Sequence, residues 1–252
     1  MIDIRSNLHI YDTVTSTNDE VFGLMKSGAP DGTAAVAGMQ TSGKGSHGRR
    51  WQSGPEGNIY CSVGIKNGIT SRQIAVMPMV TALAVRKTME LYMETPIWIK
   101  WPNDVIAGNR KICGILAEYH EVNGENILVI GFGINVNQRV FHEDLKDKAS
   151  SMYILEKKQF DTRLLLSSVL EELESVYPVC MESDGLGRYR EEIEQCLIRM
   201  GDVVRLTRGD FSEKAVIEHL NNDGSLCVLK DDGKHHNVYA GEISLRGEGG
   251  YI

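Results

Sequence analysis

Residues 98–119 constrain this chain more than any other stretch: Trp-Ile-Lys-Trp-Pro-Asn-Asp-Val-Ile-Ala-Gly-Asn-Arg-Lys-Ile-Cys-Gly-Ile-Leu-Ala-Glu-Tyr. The run reads as two β-strands joined by a tight turn. Ile97, Ile99 and Trp101 alternate with Trp98 and Lys100, the period-two pattern of a half-buried strand. Ala107-Gly108-Asn109-Arg110 is turn chemistry, because Gly and Asn tolerate positive φ. Ile112, Cys113, Ile115 and Leu116 then make a mostly apolar strand. Lys100, Asn103, Asp104, Lys111 and Glu118 are set at intervals along this apolar hairpin. A solvated outer face accounts for any one of them. Turned inward, a lysine and a carboxylate must pair, since burying either alone is expensive.

The flanking sequence extends the strand texture. Leu8–Tyr11, Thr33–Gly38 and Asn58–Ile65 read as strands, and Asn126–Asn137 as the next strand after the hairpin, giving an antiparallel meander. Ser16 or Thr17 is placed to cap a helix carrying Val21, Leu24 and Met25. Residues 74–93 predict a helix that is apolar nearly all round and therefore buried, with Pro78 tolerable only near its first turn. Asp161 caps an amphipathic helix bearing Leu164, Leu165, Val169, Leu170 and Leu173, and a further helix is expected near 185–195. From Met200 short strands alternate with Asn221-Asn222-Asp223-Gly224-Ser225 and Asp231-Asp232-Gly233-Lys234, the texture of a small β-barrel. A boundary near 195–200 divides the chain into 1–197 and 198–252.

The length of 252 residues suits that division. A net charge of −7 argues against nucleic-acid binding as the main business, though not against a local basic loop. No apolar run approaches the roughly 20 residues needed to span a bilayer, and the first residues carry no apolar signal core. A cytoplasmic location is the expectation. Cys61, Cys113, Cys180, Cys196 and Cys227 are scattered, with no Cys-x-x-Cys pair, so reduced thiols are expected and no zinc site. His235-His236 reads as a solvated pair in a polar turn.

Chemistry gathers in the loop from Gln40 to Trp51. Gly43, Lys44, Gly45, Gly48, Arg49 and Arg50 suit a phosphate: glycines let backbone N–H groups converge on an anion and the cations neutralise it. A surface basic loop has the same composition. The loop lacks the Gly-Lys-Ser/Thr ending of a P-loop and the βαβ setting of a dinucleotide fingerprint. Gly131 and Gly133 would let a ligand lie flat on their strand, and Asn135 offers the paired donor and acceptor an adenine edge requires.

Lys-Trp-Pro-Asn-Asp (100–104), followed by Arg-Lys-Ile-Cys-Gly-Ile-Leu-Ala-Glu (110–118), closely resembles the signature of biotin–protein ligases. Ser16-Thr17-Asn18, Gln40 with the loop to Trp51, Gly131–Asn137 and a closing Gly241-Glu242-Ile243-Ser244-Leu245 stand in the family's order. The resemblance covers the chain from about Thr15 onward. It implies an α+β fold with a mixed, largely antiparallel sheet and packed helices, like class II synthetases, and a C-terminal SH3-like barrel. It implies an enzyme that makes biotinyl-5′-AMP from biotin and ATP with Mg2+. The enzyme then passes biotin to one lysine of a biotin carboxyl carrier domain.

Carried over by position, Lys111 would bridge the biotin carboxylate and the α-phosphate, and Asp104 would sit near the acceptor amine. Ser16, Thr17, Asn18 and Gln40 would bind biotin, with Trp101 walling its side chain and Gly114 beside it. Gly43, Lys44, Gly45, Ser46, His47, Arg49 and Arg50 would form the loop over the adenylate, and Trp51 and Asn135 would contact adenine. The metal ligands are left unassigned. Family members usually carry an arginine where this chain has Ser46, which bears on how firmly the adenylate is held. Ser16-Thr17-Asn18 is reached almost at once, so a ligase without a DNA-binding domain is expected; both monomer and homodimer are open. A lipoate or octanoate ligase or transferase shares the fold, and a silent biotin or nucleotide sensor would keep the pocket. The intact Lys-Trp-Pro-Asn-Asp favours biotin, and the presence of Lys111 favours catalysis.

Overall fold

The computed structural model describes residues 2–54, 57–66, 68–208, 211–241 and 244–246; for His47, Arg208, Phe211 and 244–246 the backbone alone is described. Glu242 and Ile243 of the closing motif lie outside these residues.

Seven strands form the main sheet: β1 (Leu8–Val14), β2 (Ala34–Gln40), β3 (Ile59–Ile65), β4 (Ile97–Lys100), β5 (Asp104–Ala107), β6 (Arg110–Val122) and β7 (Glu125–Ile134). Their order is β1-β2-β3-β7-β6-β5-β4; β1 and β2 run parallel and every other pair antiparallel. The expected meander is present, with one more reversal than the sequence pattern suggests. Trp101-Pro102-Asn103, with a cis Trp101–Pro102 bond, turns β4 into β5 before Gly108-Asn109 turns β5 into β6. Both Gly108 and Asn109 have positive φ, as the turn requires.

Helices cover the sheet unequally. On one face, α1 (Thr17–Lys26) lays Val21 and Met25 on β3 beside Gly64, where a Cβ would stand 2.7 Å from Met25. The rest of that face is left for the site. On the other face, α2 (Ser71–Glu90) packs with α4 (Thr162–Met181), and the buried Thr81 and Tyr177 hydroxyls meet at 2.8 Å. Pro78 stands well inside α2, not in its first turn, because the helix starts earlier than its apolar pattern: Thr70 caps it. Asp161 caps α4 as expected, accepting from the backbone N–H groups of Arg163 and Leu164. The short α3 (Met152–Glu156) and α5 (Arg190–Cys196) complete the helices.

A second sheet holds β8 (Val203–Arg208), β9 (Phe211–Leu220), β10 (Leu226–Lys230), β11 (His235–Val238) and β12 (Ser244–Arg246), in the order β11-β10-β9-β8-β12, all antiparallel. Its β9–β10 turn is wedged into the body of the protein. Gly224 faces Met79 and Val76 of α2, and its carbonyl accepts from the buried Trp101 Nε1 at 2.9 Å. Trp101→Phe is expected to lose about 1–3 kcal/mol, because it leaves a buried carbonyl without its donor. Urea unfolding measures the loss; unchanged stability would show that the bond contributes nothing. A boundary at 195–200 taken alone predicts a soluble core after truncation at Gln195. The wedge predicts otherwise: cutting there bares Val76 and Met79 and orphans the Trp101 N–H, so the truncated chain should aggregate on expression.

Candidate active site

Two irregularities of backbone create the site. The first is a bulge. Asp104 pairs with Gly114 and Val105 with Cys113, but Ile106 pairs with Lys111, so Ile112 is the extra residue of β6. In a regular strand residues 111 and 114 point to opposite faces. The bulge reverses the parity and lays the Lys111 side chain over Gly114, where a Cβ would lie 2.6 Å from its Nζ. Lys111 is pinned by its backbone, which pairs with Lys148 and Ser150 of the incoming segment. Its ammonium lies 2.6 Å from Asp104 and 5.3 Å from the Trp51 ring centroid.

The second irregularity is a floor of glycines. Gly114 pairs with Gly133, and Gly131 pairs with Leu116 and Ser62. These glycines receive side chains of the protein itself. A Cβ at Gly133 would lie 2.6 Å from the Trp51 indole, and one at Gly131 would lie 2.0 Å from Asn18 Oδ1. The indole Nε1 is buried and has no hydrogen-bond partner among the described residues.

Polar groups from α1 converge above the Gly131 end. Ser16 is the N-cap residue of α1, but its side chain makes no capping bond. The Thr17 N–H and hydroxyl both donate to Gln40 Oε1, at 2.9 and 3.2 Å. The Ser62 hydroxyl lies 2.7 Å from Thr17 Oγ1 and 2.6 Å from Asn18 Oδ1, and Asn18 Nδ2 donates to Glu118 at 2.7 Å. Lys44 reaches across to Asp19 at 2.5 Å and Glu118 at 3.3 Å. Partial burial works against its charge, yet these two carboxylates outweigh it and hold the ammonium above the ordinary lysine range.

Two adjoining cavities result. Ser16, Thr17, Asn18, Gln40 and Gly131 line the first. Arg49, Arg50, Asp104, Asn135, Gln138 and Lys148 line the second. Gly45, Ser46, Trp51 and Lys111 line both. The first is polar and suits a small head group rich in donors and acceptors; the second is cationic, with Asp104 its sole carboxylate among the described residues, and suits polyphosphate. A lysine at the junction can stabilise charge on ligands in both.

The sequence-predicted residues line these cavities with three exceptions, Trp101, His47 and Gly43. Trp101 lines neither cavity: its indole is buried against the second sheet. The His47 side chain lies outside the described residues. Gly43 is held against Trp51 by the loop's own backbone bond, Trp51 N–H to Gly43 O at 2.9 Å. Asn135 is buried, donating to Ser150 O at 3.0 Å. Ser46 folds Arg49 back, since its carbonyl and hydroxyl accept from the guanidinium at 3.0 and 2.9 Å.

Sequence reasoning missed Ser62, Gln138 and Lys148. A lone serine within a wholly buried strand was the available signal for Ser62; a connecting segment gives none for Lys148. All five cysteines are free and buried, and burial raises their thiols, Cys180 to about 11.

Comparison with known proteins bears on this geometry. The biotin/lipoate A/B protein ligase family matches residues 10–137. The biotin–[acetyl-CoA-carboxylase] ligase of Mycobacterium tuberculosis is 33% identical over 90% of this chain and 85% of its own. The bifunctional ligase/repressor BirA of Bacillus spizizenii is 29% identical over 93% of this chain and 72% of its own. The structure of Aquifex aeolicus biotin protein ligase in complex with biotin and ATP superposes with a TM-score of 0.83 at 31% identity, covering 96% of this chain and 99% of that one.

Proposed function

Since this chain belongs to the biotin/lipoate A/B protein ligase family, we propose that its two adjoining cavities divide one reaction between them, biotin in the first and ATP in the second. The enzyme is a biotin–protein ligase, which joins biotin to AMP and then to an acceptor lysine. The observation that carries the division is Lys111, the cation at the junction, pinned by a bulge and lining both cavities.

In this reading Ser16, Thr17, Asn18 and Gln40 hold the ureido group of biotin, backed by Ser62 and Glu118. Biotin's carboxylate attacks the α-phosphorus of ATP; the new bond is a carboxyl–phosphoryl anhydride, and pyrophosphate leaves. Lys111 neutralises carboxylate and α-phosphate as they approach, and Arg49, Arg50 and Lys148 take the leaving phosphates. The acceptor lysine amine then attacks the acyl carbon, AMP leaves, and Asp104 takes the proton the amine sheds. Lys44 and the glycine loop cover the intermediate and exclude water. Trp101, facing the second sheet, has no part in binding biotin.

Mg2+ commonly binds through one or two carboxylates and substrate phosphates. Asp104, facing the cationic cavity, fits that pattern beside the phosphates of ATP, where the ion would neutralise the triphosphate. The acceptor is a biotin carboxyl carrier domain, and the second sheet is an SH3-like barrel unit spanning 198–252. Five free thiols suit the reducing cytoplasm. Among the described residues no helix is long and apolar enough to cross a membrane.

Labelled biotin, ATP and a carrier domain incubated with the protein should yield labelled carrier; lipoate in place of biotin should not. Preference for lipoate would overturn the assignment of the first cavity. The loop carries its own prediction. Ser46 supplies one hydroxyl where an arginine would bring a bidentate charge. Ser46→Arg is expected to slow release of biotinyl-5′-AMP about tenfold, roughly one charge-assisted bond. Equal release rates in the two proteins would show that the arginine adds nothing.

A further inference from the structure

The second sheet holds an arrangement unrelated to ligation. The cross-strand pairing of β9 and β10 shifts between Cys227 and Val228: Cys227 lies opposite His219, but Val228 lies opposite Ile217. Glu218 is therefore the extra residue of a bulge. The burial pattern agrees. Ile217 and Leu220 are buried inward, while Glu218 and His219 are both exposed in succession. Both side chains thus leave from the face that bears Cys227. That cysteine points away from the interior occupied by Leu226 and Val228, yet it is only 5% exposed.

Glu218, His219 and Cys227 each offer one ligand atom, and the three atoms lie within 4.8 Å of one another. A tetrahedral zinc ion with bonds near 2.0–2.3 Å holds its ligand atoms roughly 3.3–3.8 Å apart. Small rotations of exposed side chains close the difference. A fourth group is nearby: His235 on β11, on the same face, has Nε2 2.7 Å from Glu218 Oε2, and its exposed side chain would swing toward the other two ligands to complete the set. Spacing alone missed this set, because no two of its members stand in a metal-binding repeat and the bulge is what gathers them. His235 also proves to be a strand residue, not a member of a solvated turn.

We propose that Glu218, His219 and Cys227, with His235 as the fourth group, form a zinc site that clamps β9, β10 and β11. The donor set of one sulfur, imidazole nitrogens and one carboxylate suits a borderline divalent ion and excludes magnesium, which takes oxygen ligands. The site is separate from the cavities of the ligase reaction.

The test uses the full chain, purified reduced and freed of metal by a chelator that is then removed. Titration with Co2+ should give one bound ion per chain with thiolate-to-cobalt charge-transfer absorption, displaced by Zn2+ and untouched by excess Mg2+. Cys227→Ser should abolish the absorption. His219→Ala, an exposed change that leaves the fold intact, should weaken binding at least tenfold with the rate of adenylate formation unchanged. Absence of the absorption in the parent protein, or full-strength binding in His219→Ala, overturns the site. Should Cys227→Ser fail to fold, the His219→Ala result alone decides.

Discussion

Lys111→Ala is expected to reduce adenylate formation by roughly 10²–10³-fold, about 2.7–4 kcal/mol, the typical loss when one positioned electrostatic group is removed. The ammonium is the junction cation, 2.6 Å from Asp104 and lying over Gly114. Truncation removes that ammonium from beside Asp104, so two anionic reactants meet with the junction cation gone and a carboxylate still at hand. The fold should survive, since the lysine is fixed mainly by backbone bonds to Lys148 and Ser150. Pyrophosphate release and circular dichroism on one preparation separate the two effects. A folded variant releasing pyrophosphate at the parent rate would remove Lys111 from the chemistry. Lys111→Arg should rescue little, because a planar fork cannot lie where a Cβ on Gly114 would already touch the lysine.

Gly131→Ala is expected to abolish biotin binding at ordinary concentrations, a loss on the order of 10²-fold or more. A Cβ there would lie 2.0 Å from Asn18 Oδ1 and 3.1 Å from Ser62 Oγ. Gly131 belongs to β7, paired on both sides by β3 and β6, so the backbone cannot yield. Asn18 must leave, breaking its contacts with Ser62 and Glu118 at 2.6 and 2.7 Å. Each buried polar group left unpaired costs about 1–3 kcal/mol. Calorimetric titration with biotin reads the binding loss, and urea unfolding reads the overpacking, about 1–3 kcal/mol. Asn18→Ala supplies the cross-check: if both changes act through one network, their combination should cost far less than the sum. Strict additivity would mean the glycine acts elsewhere.

The features legible in the sequence are those written in local chemistry. Asp161 is a capping residue wherever it stands before an amphipathic run, and Gly108-Asn109 is a turn. The meander followed from alternation and short connections. Pro78 misled because helix starts are set by caps, here Thr70, and not by the first apolar residue. Trp101 misled in another way: its place in a signature motif says nothing of which way its indole turns, and a carbonyl 123 positions away claimed its N–H. The bulges at Ile112 and Glu218 were beyond reach, since one extra residue in a strand leaves the alternation looking merely imperfect.

The indole of Trp51 lies on the glycines of β6 and β7 with its N–H unanswered. A ligand that needs that floor binds only those molecules in which the ring has moved aside. Its measured affinity is then the intrinsic one multiplied by the fraction of chains with the floor uncovered. Were covered chains to outnumber uncovered ones by about a hundred to one, affinity would fall by that factor, about 2.7 kcal/mol. Changes in residues 43–51 that never touch biotin could therefore raise or lower its apparent affinity, acting on the population and leaving the contacts unchanged. Occupancy at low biotin becomes a property of the loop as much as of the pocket.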